Sequence, residues 1–173
     1  MEADGFSHLT VDGLVTEVGT SRPTFYRRYP SIAHLAFDVI RMRFSAGTPT
    51  NTGSLRGDIL KLQREEVAMF STPLLRNNLT GLLEVVRNDA AVRTLYLDNF
   101  ILPRRAIVGQ VLAAAVERGE LPSAEAYDVE LVCDMLLGPV LARAVLPLDL
   151  PISDELAVET AESALRYLHR DAA

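Results

Sequence analysis

Read as apolar and polar positions, the chain spells helices along almost its whole length. Val11, Leu14, Val15 and Val18 fall at i, i+3, i+4 and i+7, one face of a helix of about two turns, with Thr10 as N-cap and Gly19 as stop. A second short helix starts after the cap Ser21, with Pro23 in its first turn where a missing N–H costs nothing, and buries Phe25 and Tyr29. Pro30 ends it, and Ser31 caps a third helix whose positions Leu35, Val39 and Ile40 carry it to about Phe44. Two short helices about a tight glycine turn make a helix-turn-helix.

Residues 46–54, rich in Gly, Thr, Ser and Pro, read as a loop and as the clearest hinge in the chain. Beyond it Leu55, Ile59, Leu62 and Met69 mark one helix to about Ser71, and Leu75, Leu79, Leu82 and Val86 mark the next, from Pro73 to near Asn88. The stretch from Asp89 to Arg118 carries Val92, Leu95, Tyr96, Val108, Val111, Leu112 and Ala115, and Pro103 is expected to kink or split it. Gly119, Pro122 and Ser123 form the next turn. With no alternating strand pattern of useful length, the predicted fold class is all-α.

Val129, Val132, Cys133, Leu136, Leu137, Val140 and Leu141 share one broad helical face, while Leu131, Met135 and Ala142 add apolar positions on another, so this helix needs two packing partners. The last helix, Asp154 to about Arg170, carries the small residues Ala157, Ala161 and Ala164 in line with Leu168, which permits close helix approach. The expectation is a homodimer through the helices at about 125–146 and 154–170, joined as a four-helix bundle; the alternative is that both helices complete the core of one chain.

Composition narrows the class. With 173 residues, 49% hydrophobic, and 17 basic against 23 acidic side chains, the chain is long enough and apolar enough for a folded domain, alone or with a small module. The longest uncharged apolar run, Met135 to Ala142, is far short of the roughly 20 residues that span a bilayer, and no secretory pattern opens the chain, so no membrane partner and a cytoplasmic location are expected. The single cysteine, Cys133, reads as a small core hydrophobe. From Val18 to Arg43 five arginines face one acid, a local charge of +4 inside a chain of −6. That asymmetry fits a short module that meets a polyanion on an acidic body, or an ordinary solvated basic face.

Enzyme signatures are absent: there is no glycine-rich nucleotide loop, no His-Glu-x-x-His and no Glu-x-x-His pair. His34 and Asp38, at i and i+4, make at most half a metal site without a third ligand, and the neighbours Glu65 and Glu66 point about 100° apart and make no acid/base dyad. No catalytic residue, metal or cofactor is expected.

The segment from Leu9 to Phe37, including Thr-Ser-Arg-Pro-Thr-Phe-Tyr-Arg-Arg-Tyr-Pro (20 to 30), closely resembles the helix-turn-helix of the tetracycline-repressor (TetR) family of bacterial transcription regulators. The all-helical remainder, with Pro-Arg-Arg at 103 to 105 and Leu-Gly-Pro at 137 to 139, is similar to a subset of that family. The resemblance implies a homodimeric regulator, usually a repressor, that a small-molecule effector releases from double-stranded operator DNA. It further implies a DNA-binding module over residues 1–45 and a helical ligand-binding and dimerisation domain over 46–173.

Arg22, Thr24, Arg27 and Arg28 supply charged forks and a methyl group suited to base edges and phosphates in a major groove. Tyr26 matches the family's usual phosphate-contacting tyrosine. Thr10 and Ser21, at the two helix starts, offer hydroxyls to the backbone. Ligand release would act by moving the helix from Ser31 to Phe44, which resets the spacing of recognition helices that must reach half-sites about one turn, roughly 34 Å, apart.

The sequence also departs from the family. Met1 to Phe6 looks like the tail of the family's first helix, so that helix is expected to be truncated or absent; Val11, Leu14 and Phe25 would then lose a packing partner, and burying each such side chain is worth roughly 1.5–3 kcal/mol. Val15 and Val18 stand where alanine is usual, and Ile32 replaces a lysine that touches phosphate. The alternative function is therefore a degenerate relative that binds a small molecule or dimerises without reading an operator. In the body, Glu66, Asn78, Tyr96 and Asn99 on otherwise apolar stripes are the candidate ligand-binding residues, since a pocket needs a few polar groups in an apolar lining; the alternative is that each meets water or an internal partner. A buried, ionised Glu66 would favour a cationic ligand.

Overall fold

The computed structural model describes residues 5–44 and 50–170, so Met1–Asp4 and part of the expected hinge, residues 46–49, lie outside the described residues. Among them the helices are α1 (Val11–Glu17), α2 (Arg22–Arg28), α3 (Ile32–Arg43), α4 (Leu55–Phe70), α5 (Pro73–Asn88), α6 (Ala90–Tyr96), α7 (Leu102–Glu117), α8 (Val129–Val145) and α9 (Asp154–Leu168), with no strand. The fold is all-α.

Boundaries follow local chemistry. The hydroxyl oxygens of Thr10, Ser54 and Thr72 accept the N–H groups of Gly13, Gly57 and Leu75, and the carboxylate of Asp128 accepts Leu131 N–H. Ser31 stands at the start of α3 but its hydroxyl engages His34 Nδ1 at 2.9 Å instead of the backbone. Pro103 splits the long stretch as expected. Unable to donate to the Asn99 carbonyl and sterically opposed to it, it is preceded by a wide π turn over Leu97–Ile101, after which α7 begins.

The chain packs as two compact units. One takes in Met1–Ser45 and Thr72–Ile101, the other Ala46–Ser71 and Leu102–Ala173. In the first, α3 packs on α5 and α6, the short 3-10 turn Phe6–His8 lies on α5, and α1 packs on α2. Ala33, Ala36, Phe37, Ile40, Leu75, Leu79, Leu82 and Val92 are buried there.

The second unit is built on α4, which packs against α9, α8 and α7. Its core joins Leu55 and Ile59 to Val111, Leu112, Val132, Leu136, Ala161, Ala164 and Leu168. Here the sequence expectation is corrected. The alanine stripe read as a dimer contact, Ala157, Ala161 and Ala164 with Leu168, is at most 1% exposed and completes the core of this unit. Small residues let α9 approach α4 closely, and among the described residues α9 is the helix that α4 meets most extensively. Cys133 belongs to the same core, and burial pushes its thiol up to about 11.

Candidate nucleic-acid interface

The helix-turn-helix is held by very few buried side chains. Val15 is the one buried residue of α1 and Phe25 the one buried residue of α2. Phe25 meets Tyr26 edge-on at 5.3 Å between ring centroids and Tyr29 at 5.9 Å, so three aromatics clamp the end of α2. Between the helices Gly19 turns the chain at φ 65°, a left-handed conformation in which a side chain would be strained. Val18, read from its spacing as part of the apolar face, is 69% exposed because it sits beyond the last turn of α1, where the chain swings toward Gly19. Val11 and Leu14 are half-buried.

Everything else on α2 faces solvent. Arg22, Thr24, Tyr26, Arg27 and Arg28 are exposed, as are Thr10 and Ser21 at the two helix starts. Arg22 pairs with Asp12 at 2.8 Å, but both side chains are largely exposed, and such a pair is worth at most about 1 kcal/mol, so Arg22 leaves it at little cost. Thr10 Oγ1 accepts Gly13 N–H at 3.1 Å and keeps its own proton to donate outward. Ser21 Oγ accepts Thr24 N–H at 3.4 Å and lies 3.0 Å from Thr24 Oγ1, which fixes both hydroxyls at the helix start. The Tyr26 hydroxyl bonds to nothing among the described residues, and neither Arg27 nor Arg28 has an ion-pair partner there; Arg28 lies over the Tyr29 ring at 5.3 Å. The arrangement is three exposed arginines and four exposed hydroxyls on α2 and at the starts of α1 and α2, chemistry that serves phosphates and base edges.

The four candidate ligand residues divide between the units, with Asn78, Tyr96 and Asn99 in the first and Glu66 in the second. Glu66 lies in the second unit, and the cation it was expected to seek is already present: Arg104 Nε stands 3.3 Å from its carboxylate. Burial pushes the Glu66 carboxyl up and the Arg104 charge partly offsets this. Asn78 is fully buried in the first unit, its amide donating to Leu74 O at 2.6 Å. Tyr96 is half-buried between Phe37 and Phe100, at 5.4 and 5.6 Å between ring centroids.

Asn99 is exposed and lines a cavity of about 310 Å³ within the first unit, where Arg28, Tyr29, His34, Phe37, Asp38 and Arg41 also stand. Sequence reading missed this cavity, although it noted His34 and Asp38. Adding Arg41 to that i, i+4 pair completes an i, i+4, i+7 polar stripe on α3, which was the available signal. Asp38 is committed inside the protein. It accepts the Tyr29 hydroxyl at 3.1 Å and Arg41 at 2.7 Å, and Arg41 foremost holds its carboxyl below the usual range.

Comparison with known proteins agrees with this geometry. Residues 49–164 match the family model described as "Tetracyclin repressor-like, C-terminal domain". Two proteins named uncharacterized HTH-type transcriptional regulators, Rv1556 of Mycobacterium tuberculosis and Mb1581 of Mycobacterium bovis, are each 32% identical over 158 residues, which span 89% of this chain and 75% of theirs. The crystal structure of the TetR family transcription regulator SCO0332 superposes with a TM-score of 0.68 at 28% identity, over 92% of this chain and 86% of that one. Proteins of this kind regulate transcription and are not enzymes. By its helical fold and by these matches along most of its length, the chain belongs to the TetR family of transcription regulators.

Proposed function

We propose that the protein is a ligand-responsive, dimeric repressor that binds double-stranded operator DNA through α2 and the start of α1. One observation carries the reading: every polar side chain of α2 faces solvent while Phe25 alone anchors the helix, so the helix exists to present Arg22, Thr24, Tyr26, Arg27 and Arg28 outward. Ser21 and Thr10 add hydroxyl contacts to the backbone.

In this reading residues 1–45 serve as the DNA-binding module and 46–173 as the effector and dimer domain of a cytoplasmic regulator. The match of 49–164 to a C-terminal family model supports that division. No helix among the described residues is long and apolar enough to cross a membrane. With the alanine stripe of α9 committed to the core, dimerisation falls to the outer faces of α8 and α9. Leu131 near the start of α8 and Leu146, Leu148 and Leu150 just past its end are 42–52% exposed and supply apolar side chains for such a contact.

The test is a pair of substitutions read on two duplexes, the DNA upstream of the gene and a scrambled duplex of equal length. Arg28→Ala should cost the upstream duplex about 1–3 kcal/mol more than the scrambled one, because a fork on a base edge is lost. Tyr26→Phe removes one hydroxyl from a phosphate and should weaken both duplexes alike. Equal losses for Arg28→Ala on the two duplexes would remove it from the base-reading residues.

A further inference from the structure

We propose that the cavity in the first unit is a binding site for a small aromatic or short apolar carboxylate, and that it shares Arg28 with the DNA-reading face. The sharing rests on the function proposed above; the ligand site does not.

The lining is of two kinds. Phe37, Leu95 and Phe100 supply apolar walls, with Tyr96 tilted against Phe37 and stacked on Phe100. Arg28, Arg41, His34 and Asn99 supply donors, and Asp38 is the one acid in the lining. The charge balance selects the ligand. Asp38 Oδ2 accepts the Tyr29 hydroxyl and Oδ1 accepts Arg41, and the Arg28 charge acts on the same carboxylate, so one acid faces two guanidiniums and the lining keeps a net positive charge. His34 has Nδ1 engaged by Ser31, and Asn99 uses its amide N–H on Leu95 O at 3.0 Å. A net positive cavity with aromatic walls accepts an anion carrying a flat or apolar body, and a guanidinium binds a carboxylate in a paired, planar geometry that neither lysine nor histidine matches. A volume of about 310 Å³ lies at the small end of ligand pockets, which suits a ligand of one or two rings.

The consequence is competition through one side chain. Arg28 ends α2, next to Tyr29, whose ring it covers at 5.3 Å and whose hydroxyl is tied to α3 through Asp38. A carboxylate in the cavity engages the guanidinium that would otherwise reach DNA. An effector bound here needs no long-range relay to weaken DNA binding, since the two ligands differ in the same contact.

Calorimetric titration of the DNA-free protein with 1-naphthoate tests the site, with naphthalene-1-methylamine as the cationic counterpart of the same shape. Saturable binding of the carboxylate but not the amine is expected, weakened at least tenfold by Arg28→Gln. Arg43→Gln makes the same charge change on an exposed position of α3 outside the cavity and should leave binding unchanged. Equal losses in the two variants, preference for the amine, or no heat up to millimolar naphthoate would overturn the site. If naphthoate binds but leaves the affinity for a DNA duplex unaltered, Arg28 is not shared. Failure of the protein to bind any duplex would contradict the DNA-binding function and leave the carboxylate site standing.

Discussion

Replacing Phe25 with alanine should abolish sequence-preferring DNA binding while most of the helical signal survives. Phe25 is 8% exposed and is the one buried side chain of α2, and its ring contacts Tyr26 and Tyr29. A buried phenylalanine reduced to alanine costs about 3–5 kcal/mol, and seven-residue helices such as α1 and α2 have almost no stability of their own, because isolated helices this short are unfavourable in water. The loss therefore falls on the helix-turn-helix. Hydrogen exchange should show protection disappearing across 11–28 and persisting in α4 and α9, whose core lies in the other unit. Unchanged DNA affinity in the variant would mean that α2 is not the recognition helix.

The second large effect is on stability. Asp58→Ala should destabilise the second unit by about 3–5 kcal/mol, the range for removing one partner of a buried ion pair. Asp58 is fully buried; its Oδ1 accepts Thr52 N–H at 2.6 Å and the Thr52 hydroxyl at 2.8 Å, and its Oδ2 accepts Arg118 at 3.0 Å. Arg118 continues to Glu120 at 2.6 Å, and Glu120 accepts Leu55 N–H at 2.7 Å. One carboxylate thus joins the approach to α4, the first turns of that helix and the residues after α7. Gly57 is part of the same design, since a Cβ there would run into Thr52 Oγ1. Urea melts should place Asp58→Asn between wild type and alanine, because the amide keeps the shape and one acceptor but loses the charge. A double-mutant cycle with Arg118→Met should give a coupling of more than about 1 kcal/mol, and additive losses would show that the pair does not act as a unit.

Helix positions were legible because they rest on local signals. Caps, prolines and i, i+3, i+4 spacing are properties of neighbouring residues, and they located α4 and α5 to within a residue. Even the disruption before α7 was announced by Pro103. A proline alone does not decide, however. Pro139 sits inside α8 without ending it, flanked by the buried Leu136 and Val140 whose packing holds the helix through the missing hydrogen bond.

What the sequence could not supply was the partner of each face. A stripe of alanines says that another helix comes close, but not whether that helix belongs to the same chain; α4 took the place assigned to a second copy. Glu66 read as a ligand group because Arg104 stands 38 positions away and only the fold brings them to 3.3 Å. The solvent-facing arginines and hydroxyls of α2 needed no such information. They lie within one short segment, and exposure follows from their polarity once Phe25 is turned inward.

Whether α2 reads DNA is decided by fluorescence-anisotropy titration of the 173-residue chain against its upstream duplex and a scrambled duplex at two salt concentrations. A recognition helix at α2 should give tight binding that prefers the upstream duplex and weakens steeply with salt, with a slope set by the number of phosphates that the arginines neutralise. Weak binding that is equal for the two duplexes, at both salt concentrations, would contradict that role.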